Sequence, residues 1–148
     1  MGLLVAVGGS VAAVAAYNNN AENERQAAAA ETKRQKREAD EKKSAAEAAA
    51  AATEREARAK LVTEIQESVK KMAVGHAKDG LLADAPLKNV DTNCEPVDGS
   101  FDDLLSPTTT FKCFVPTKKA DGGMYEGFNY HATVNWDSGE YTYGMGEP

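Results

Sequence analysis

Residues 124–145 read MYEGFNYHATVNWDSGEYTYGM, and the alternation in this run decides the fold. Phe128, Tyr130, Ala132, Val134 and Trp136 share one face of an extended chain, because successive strand side chains point to opposite sides. Tyr125, Asn129, His131, Thr133 and Asn135 share the other face, which is wet. Asp137-Ser138-Gly139 is a tight-turn signal, and Tyr141, Tyr143 and Met145 then alternate on a returning strand. Upstream, Thr108 to Val115 is rich in β formers, and Phe111, Cys113 and Val115 share its apolar face. The expected sheet is a three-stranded antiparallel meander. The stretch from Cys94 to Pro107 reads as loop, because it carries Pro96, Gly99 and Pro107.

A sheet with one apolar face needs a cover. Leu61, Val62, Ile65, Val69 and Met72 repeat at helical spacing and supply a docking stripe for it, or a seam for a second copy. Gly75 is the expected helix stop, with Lys70 and Lys71 in the favourable last turn and His76 solvated beyond it. The fold class expected is α+β: a long N-terminal helix with an apolar start and a polar arm, followed by the small meander packed on the helix end.

Residues 19 to about 74 contain no proline or glycine, and Asn19 followed by Glu22 fits an N-cap. Fifteen of the forty residues from Ala21 to Lys60 are alanine, which buries little area, and the rest are mostly strong helix formers. Opposite charges recur four apart, as at Arg34–Glu38, Lys43–Glu47, Glu54–Arg58 and Glu56–Lys60, each adding a few tenths of a kcal/mol. No large apolar seam runs through residues 21–60, so a classical coiled coil lacks its a and d side chains. The arm reads first as a solvated single helix or a partly disordered spacer; the alternative is a close, weak helix pair through the alanine clusters at 27–30 and 48–52.

Leu3 to Tyr17 is weakly apolar and uncharged, and the first charge is Glu22. Fifteen residues make about 23 Å of helix, short of the roughly 20 residues that span a bilayer. The segment reads as an uncleaved anchor, a cleaved signal or an ordinary apolar helix end, with membrane lipid as its partner in the first case. Basic residues follow it at Arg25, Lys33, Arg34, Lys36 and Arg37, which would put the arm on the cytoplasmic side. The cysteines argue the reverse. The expected organisation is an anchor or signal segment over 1–20, an arm over 21–60 and a small α+β module over 61–148.

The 148 residues carry a formal charge of -6, but the imbalance is local. Residues 1–90 hold 14 basic against 13 acidic residues, net +1, and residues 91–148 hold 3 against 10, net -7. A module that acidic does not grip a phosphate backbone, so nucleic acid is not an expected partner. Cys94 and Cys113 are the only cysteines, and their spacing fits no zinc site. In a region of little apolar mass they read as a disulfide, with two buried thiols as the alternative.

Catalytic signals are weak. Asp91, Glu95, Asp98, Asp102 and Asp103 lack the twelve-residue pattern of a calcium loop and read as a solvated acidic loop, so no metal or other cofactor is expected. His131 has no nucleophile elbow around any serine. Tyr125, His131, Tyr141 and Tyr143 form a candidate interaction surface, since aromatics dominate interface energetics; the competing role for such residues is to fill a small core.

Asp91-Thr92-Asn93-Cys94-Glu95-Pro96, Phe111-Lys112-Cys113, Gly127-Phe128-Asn129-Tyr130 and Gly139-Glu140-Tyr141-Thr142-Tyr143 together resemble uncharacterised membrane-tethered exported proteins of high-GC Gram-positive bacteria. The resemblance covers roughly residues 61–148. It implies that Cys94 and Cys113 pair outside the membrane, and it carries over no catalytic residue. The expected function is a non-enzymatic protein anchored in the cell membrane, presenting an acidic extracytoplasmic module to an envelope protein. The alternatives are a structural oligomer assembled through the N-terminal helix, and a small-ligand-binding or enzymatic domain.

Overall fold

The C-terminal half folds into four strands, β1 (Asn93–Pro96), β2 (Thr108–Lys119), β3 (Tyr125–Asn135) and β4 (Tyr141–Met145), after one helix, α1 (Ser10–Lys78). The computed structural model describes the backbone of residues 10–148 and the side chains of residues 21–148. The strands form one antiparallel sheet in the order β1-β2-β3-β4. The chain divides into two compact units, Met1–Ala48 and Ala49–Pro148.

The expected three-stranded meander is therefore corrected to four strands. The added strand is Asn-Cys-Glu-Pro, a sequence with little β preference of its own. It pairs because β2 offers a long free edge, with Cys94 directly opposite Cys113 and Pro96 opposite Phe111. Pro96 is tolerated there because an edge strand need not donate on its outer side. The disulfide between Cys94 and Cys113 is formed and ties this edge to the sheet.

In the second unit the sheet's apolar face meets the last part of α1. Ile65, Val69 and Ala73 are fully buried together with Phe111, Cys113, Val115, Tyr130, Ala132 and Val134. Val62 joins this core, and Leu61 and Met72 are half-buried against it. Burial of a side chain such as Ile65 or Val69 contributes about 1.5–3 kcal/mol, which is why this end of the helix holds its register.

That packing carries the helix past Gly75, where the sequence marks a stop. The helix ends at Lys78, and the glycine that terminates it is Gly80, in the left-handed region at φ 75°. The Leu81 N–H donates to the His76 carbonyl at 2.8 Å and the Gly80 N–H to the Ala77 carbonyl at 3.2 Å. This is the paired Schellman bond pattern that satisfies the last carbonyls.

In the first unit, residues 22–48 are helical and exposed throughout. The expected cap at Asn19 is overturned, since Asn18 to Asn20 lie inside α1. Arg34–Glu38 and Lys43–Glu47 close to 3.7 and 3.8 Å, and the Thr32 hydroxyl donates to the Ala28 carbonyl at 2.9 Å.

The expected membrane anchor is also corrected. Among the described residues no helix is long and apolar enough to cross a membrane. Of the segment 3–17, residues 3–9 lie outside the described residues. In the described helix Asn18 to Asn20 and then Glu22 follow Tyr17 directly, and these polar side chains end the apolar run. The lipid contact, the signal-anchor, the placement at the cell membrane and the membrane-anchored exported function read from that segment are overturned with it.

Candidate interaction site

The four residues of the expected surface do not form one patch. In the β3–β4 register, Tyr141 lies opposite Val134, Tyr143 opposite Ala132 and Met145 opposite Tyr130, all on the helix side of the sheet. His131 lies opposite Gly144 on the other side, and Tyr125 shares its face further along β3. The structure thus brings Tyr141 and Tyr143 together, with ring centroids 5.9 Å apart, and separates them from His131 and Tyr125.

Each of these groups has a local role. The Tyr141 and Ser68 hydroxyls share a hydrogen bond of 2.9 Å that ties β4 to the helix. His131 sits over Gly144, where an added Cβ would press on its ring, and its Nδ1 faces the Gly146 carbonyl at 3.4 Å. Beside it the Glu147 carboxylate accepts from Lys112 Nζ at 2.9 Å and Asn129 Nδ2 at 2.8 Å, which holds the chain end on the open face. No hydroxyl nucleophile hydrogen-bonds to His131 among the described residues. The acidic loop caps itself: the Asp103 carboxylate accepts from the Leu105 N–H and the Ser100 hydroxyl from the Asp102 N–H. Among the described residues no three His, Cys, Asp or Glu side chains gather as metal ligands.

His76 is not solvated beyond the helix; it is in the last turn. Its Nδ1 and the Tyr130 hydroxyl share a 3.0 Å hydrogen bond, and the two rings stack at 5.8 Å. Burial pushes the Tyr130 phenol above its ordinary value, because the phenolate would be poorly solvated there.

Arg58 is the residue that sequence reasoning missed. Its side chain is 5% exposed. One terminal nitrogen, Nη1, donates to the Asp103 carbonyl at 2.8 Å and the Phe101 carbonyl at 3.4 Å. The other, Nη2, donates to Glu54 at 2.8 Å and the Leu104 carbonyl at 3.3 Å. The guanidinium lies 4.7 Å from the centre of the Trp136 ring, and Trp136 Nε1 donates to the Thr109 hydroxyl at 2.8 Å. The clamp therefore joins α1, the loop between β1 and β2, and the turn that follows β3. The signal was available: position 58 continues the stripe 62, 65, 69 backward by one helical turn.

Two surfaces are left without a partner among the described residues. One is a groove of about 580 Å³ between α1 and the following connector, lined by Glu67, Val74 and four lysines. One of those lysines, Lys70, already donates to the Val90 carbonyl at 2.8 Å. The other is the outer edge of β4. The chain matches no protein-family model, no curated protein and no solved structure.

Proposed function

We propose that this chain is a non-enzymatic structural protein that self-associates through its long helix. A single observation carries the reading: every residue from Glu22 to Ala48 is helical and exposed. Helices in water draw most of their stability from packing an apolar or small-residue face, and a helix polar all round is otherwise held only by its side-chain pairs. The pairs present in this stretch are surface ion pairs worth about 0.3–0.5 kcal/mol each. The apolar stripe at 61–72, the other seam the sequence offers, is occupied by the chain's own sheet.

That leaves the small residues of the arm. Thr32, Ala39 and Ala46 recur at sevenfold spacing, with Ala28 one turn before the first. Side chains this small let two helix backbones approach closely and gain dispersion contacts. Lys42 and Gln35 interrupt the seam, which fits a reversible contact.

Sedimentation equilibrium of the full chain over a wide concentration range tests this. The wild-type chain is expected to be dimeric or larger, and Ala46→Glu to shift it toward monomer. Glutamate is nearly as good a helix former as alanine, so helicity by circular dichroism should persist. A wild-type chain that is monomeric at every concentration overturns the proposal.

A further inference from the structure

We infer that the outer edge of β4 is a pairing surface for β4 of a second copy, in a symmetric antiparallel register centred on Tyr143. The inference goes beyond the self-association reading by naming a contact that does not involve the arm and does not depend on it.

Backbone direction along β4 follows from the bonds that flank it. The Asn135 N–H donates to the Glu140 carbonyl at 2.9 Å and the Gly146 N–H to the Asn129 carbonyl at 2.8 Å. Every second pair between them is bonded in the same way. Thr142 and Gly144, opposite Thr133 and His131, therefore turn their backbone groups inward to β3. Tyr141, Tyr143 and Met145 turn theirs outward. Among the described residues no strand pairs with that side, since β4 closes the order β1-β2-β3-β4.

An edge of this kind is a template for another strand, and proteins usually blunt it with lysine, proline or a bulge. Residues 141–145 contain no charge and no proline, and their pairing with β3 runs without a bulge. The side chains of the same three outward residues lie on the helix side, and Tyr143 and Met145 are still 37% and 44% exposed. At Tyr143 and Met145 outward backbone groups and exposed side chains thus coincide, while Tyr141 keeps its hydroxyl on Ser68.

A second copy fits the edge better than an arbitrary strand. Centred on Tyr143, the register sets Tyr141 opposite Met145 of the second copy and Tyr143 opposite itself. All three outward residues then pair, whereas a centre at Thr142 or Gly144 pairs only two. Tyrosine against methionine is a favourable sulfur–aromatic contact. Charge is compatible as well: Glu140 falls opposite Gly146, and Glu147 opposite Gly139, so no like charges meet. Glu147 is in any case neutralised by Lys112 at 2.9 Å. The twofold axis stands perpendicular to the sheet, so both copies' Tyr143 and Met145 side chains gather on one face of a sheet continuous across the pair.

The test is cysteine crosslinking in the full chain. Tyr143→Cys places two thiols directly opposite each other, within the Cα separation a disulfide spans. Under mild oxidation it should give a covalent dimer on the order of tenfold faster than Leu105→Cys, a control in an exposed loop, because a held contact raises the effective concentration. Leu105 is 93% exposed and lies off the β4 edge, so its rate reports collision together with any proximity the arm supplies. The same pair of variants is measured in the Ala46→Glu background, where strand crosslinking should persist if β4 pairs independently of the arm. Equal rates at 143 and 105 overturn the inference, as does a dimer that disappears with Ala46→Glu. Should Tyr143→Cys misfold, Tyr143→Lys serves instead, and an unchanged sedimentation mass in the Ala46→Glu background overturns the pairing. A strand supplied by some other protein would leave the purified chain without a crosslink at 143, which overturns the inference too.

Discussion

At Arg58 a guanidinium that is 5% exposed survives burial because three loop carbonyls and Glu54 accept from its terminal nitrogens and Trp136 lies under its plane. Its Nε meets no acceptor among the described residues, so the site is a compromise. Arg58→Ala should cost about 3 kcal/mol, read from the urea midpoint, since it strips a buried, multiply bonded group from between three elements. Arg58→Lys should recover little, because an ammonium cannot fork to several carbonyls and stack on an indole at once. Tyr130 makes a pH prediction. Its folded phenol titrates above the ordinary value near 10, so the unfolded chain loses its proton first as pH rises. Stability is then full below about pH 10 and falls above it. Tyr130→Phe should flatten that alkaline slope in a urea–pH series, and an unchanged slope would assign it to other groups.

At the scale of elements, the helix end is the clearest case of packing overriding local preference. Gly75 has ordinary helical backbone and open space where a Cβ would stand. Gly75→Ala should therefore stabilise the protein by about 0.5–1 kcal/mol, seen as a raised thermal midpoint. A drop would mean that the space beside Gly75 is occupied. β2, β3, β4 and the stripe 62–69 were legible because a two-residue or helical period ran long enough to read. β1 was not legible: four residues ending in proline hold no period, and their pairing is decided by the neighbouring strand and by Cys94 facing Cys113. Arg58 was hidden for a related reason. Its spacing to Glu54 explains it locally, and only the loop carbonyls, 45 and 46 residues away in the chain, reveal the second role. The aromatic surface was half legible, since alternation puts Tyr141 with Tyr143 within one strand, but their separation from His131 is set by the β3–β4 register, which alternation alone does not give.

At the scale of the second unit, two devices act on one loop. The disulfide closes the chain between Cys94 and Cys113, a separation of 19 residues. Arg58 grips the middle of that same closed segment through the Phe101, Asp103 and Leu104 carbonyls. Breaking the disulfide alone, by Cys94→Ala with Cys113→Ala, should cost about 3 kcal/mol in the chain-entropy account. The two losses should not add. With the disulfide gone, the loop gains freedom in the native state, Arg58 holds its carbonyls less well, and removing Arg58 then costs less than it does in the oxidised protein. A double-mutant cycle on urea midpoints should show a coupling of about 0.5–2 kcal/mol in that direction. Distant, independent sites add to within about 0.3–0.5 kcal/mol, so a cycle that closes inside that margin would separate the staple from the clamp. In that event the loop would be held at two independent points, and reduction would leave the contact between α1 and Trp136 intact.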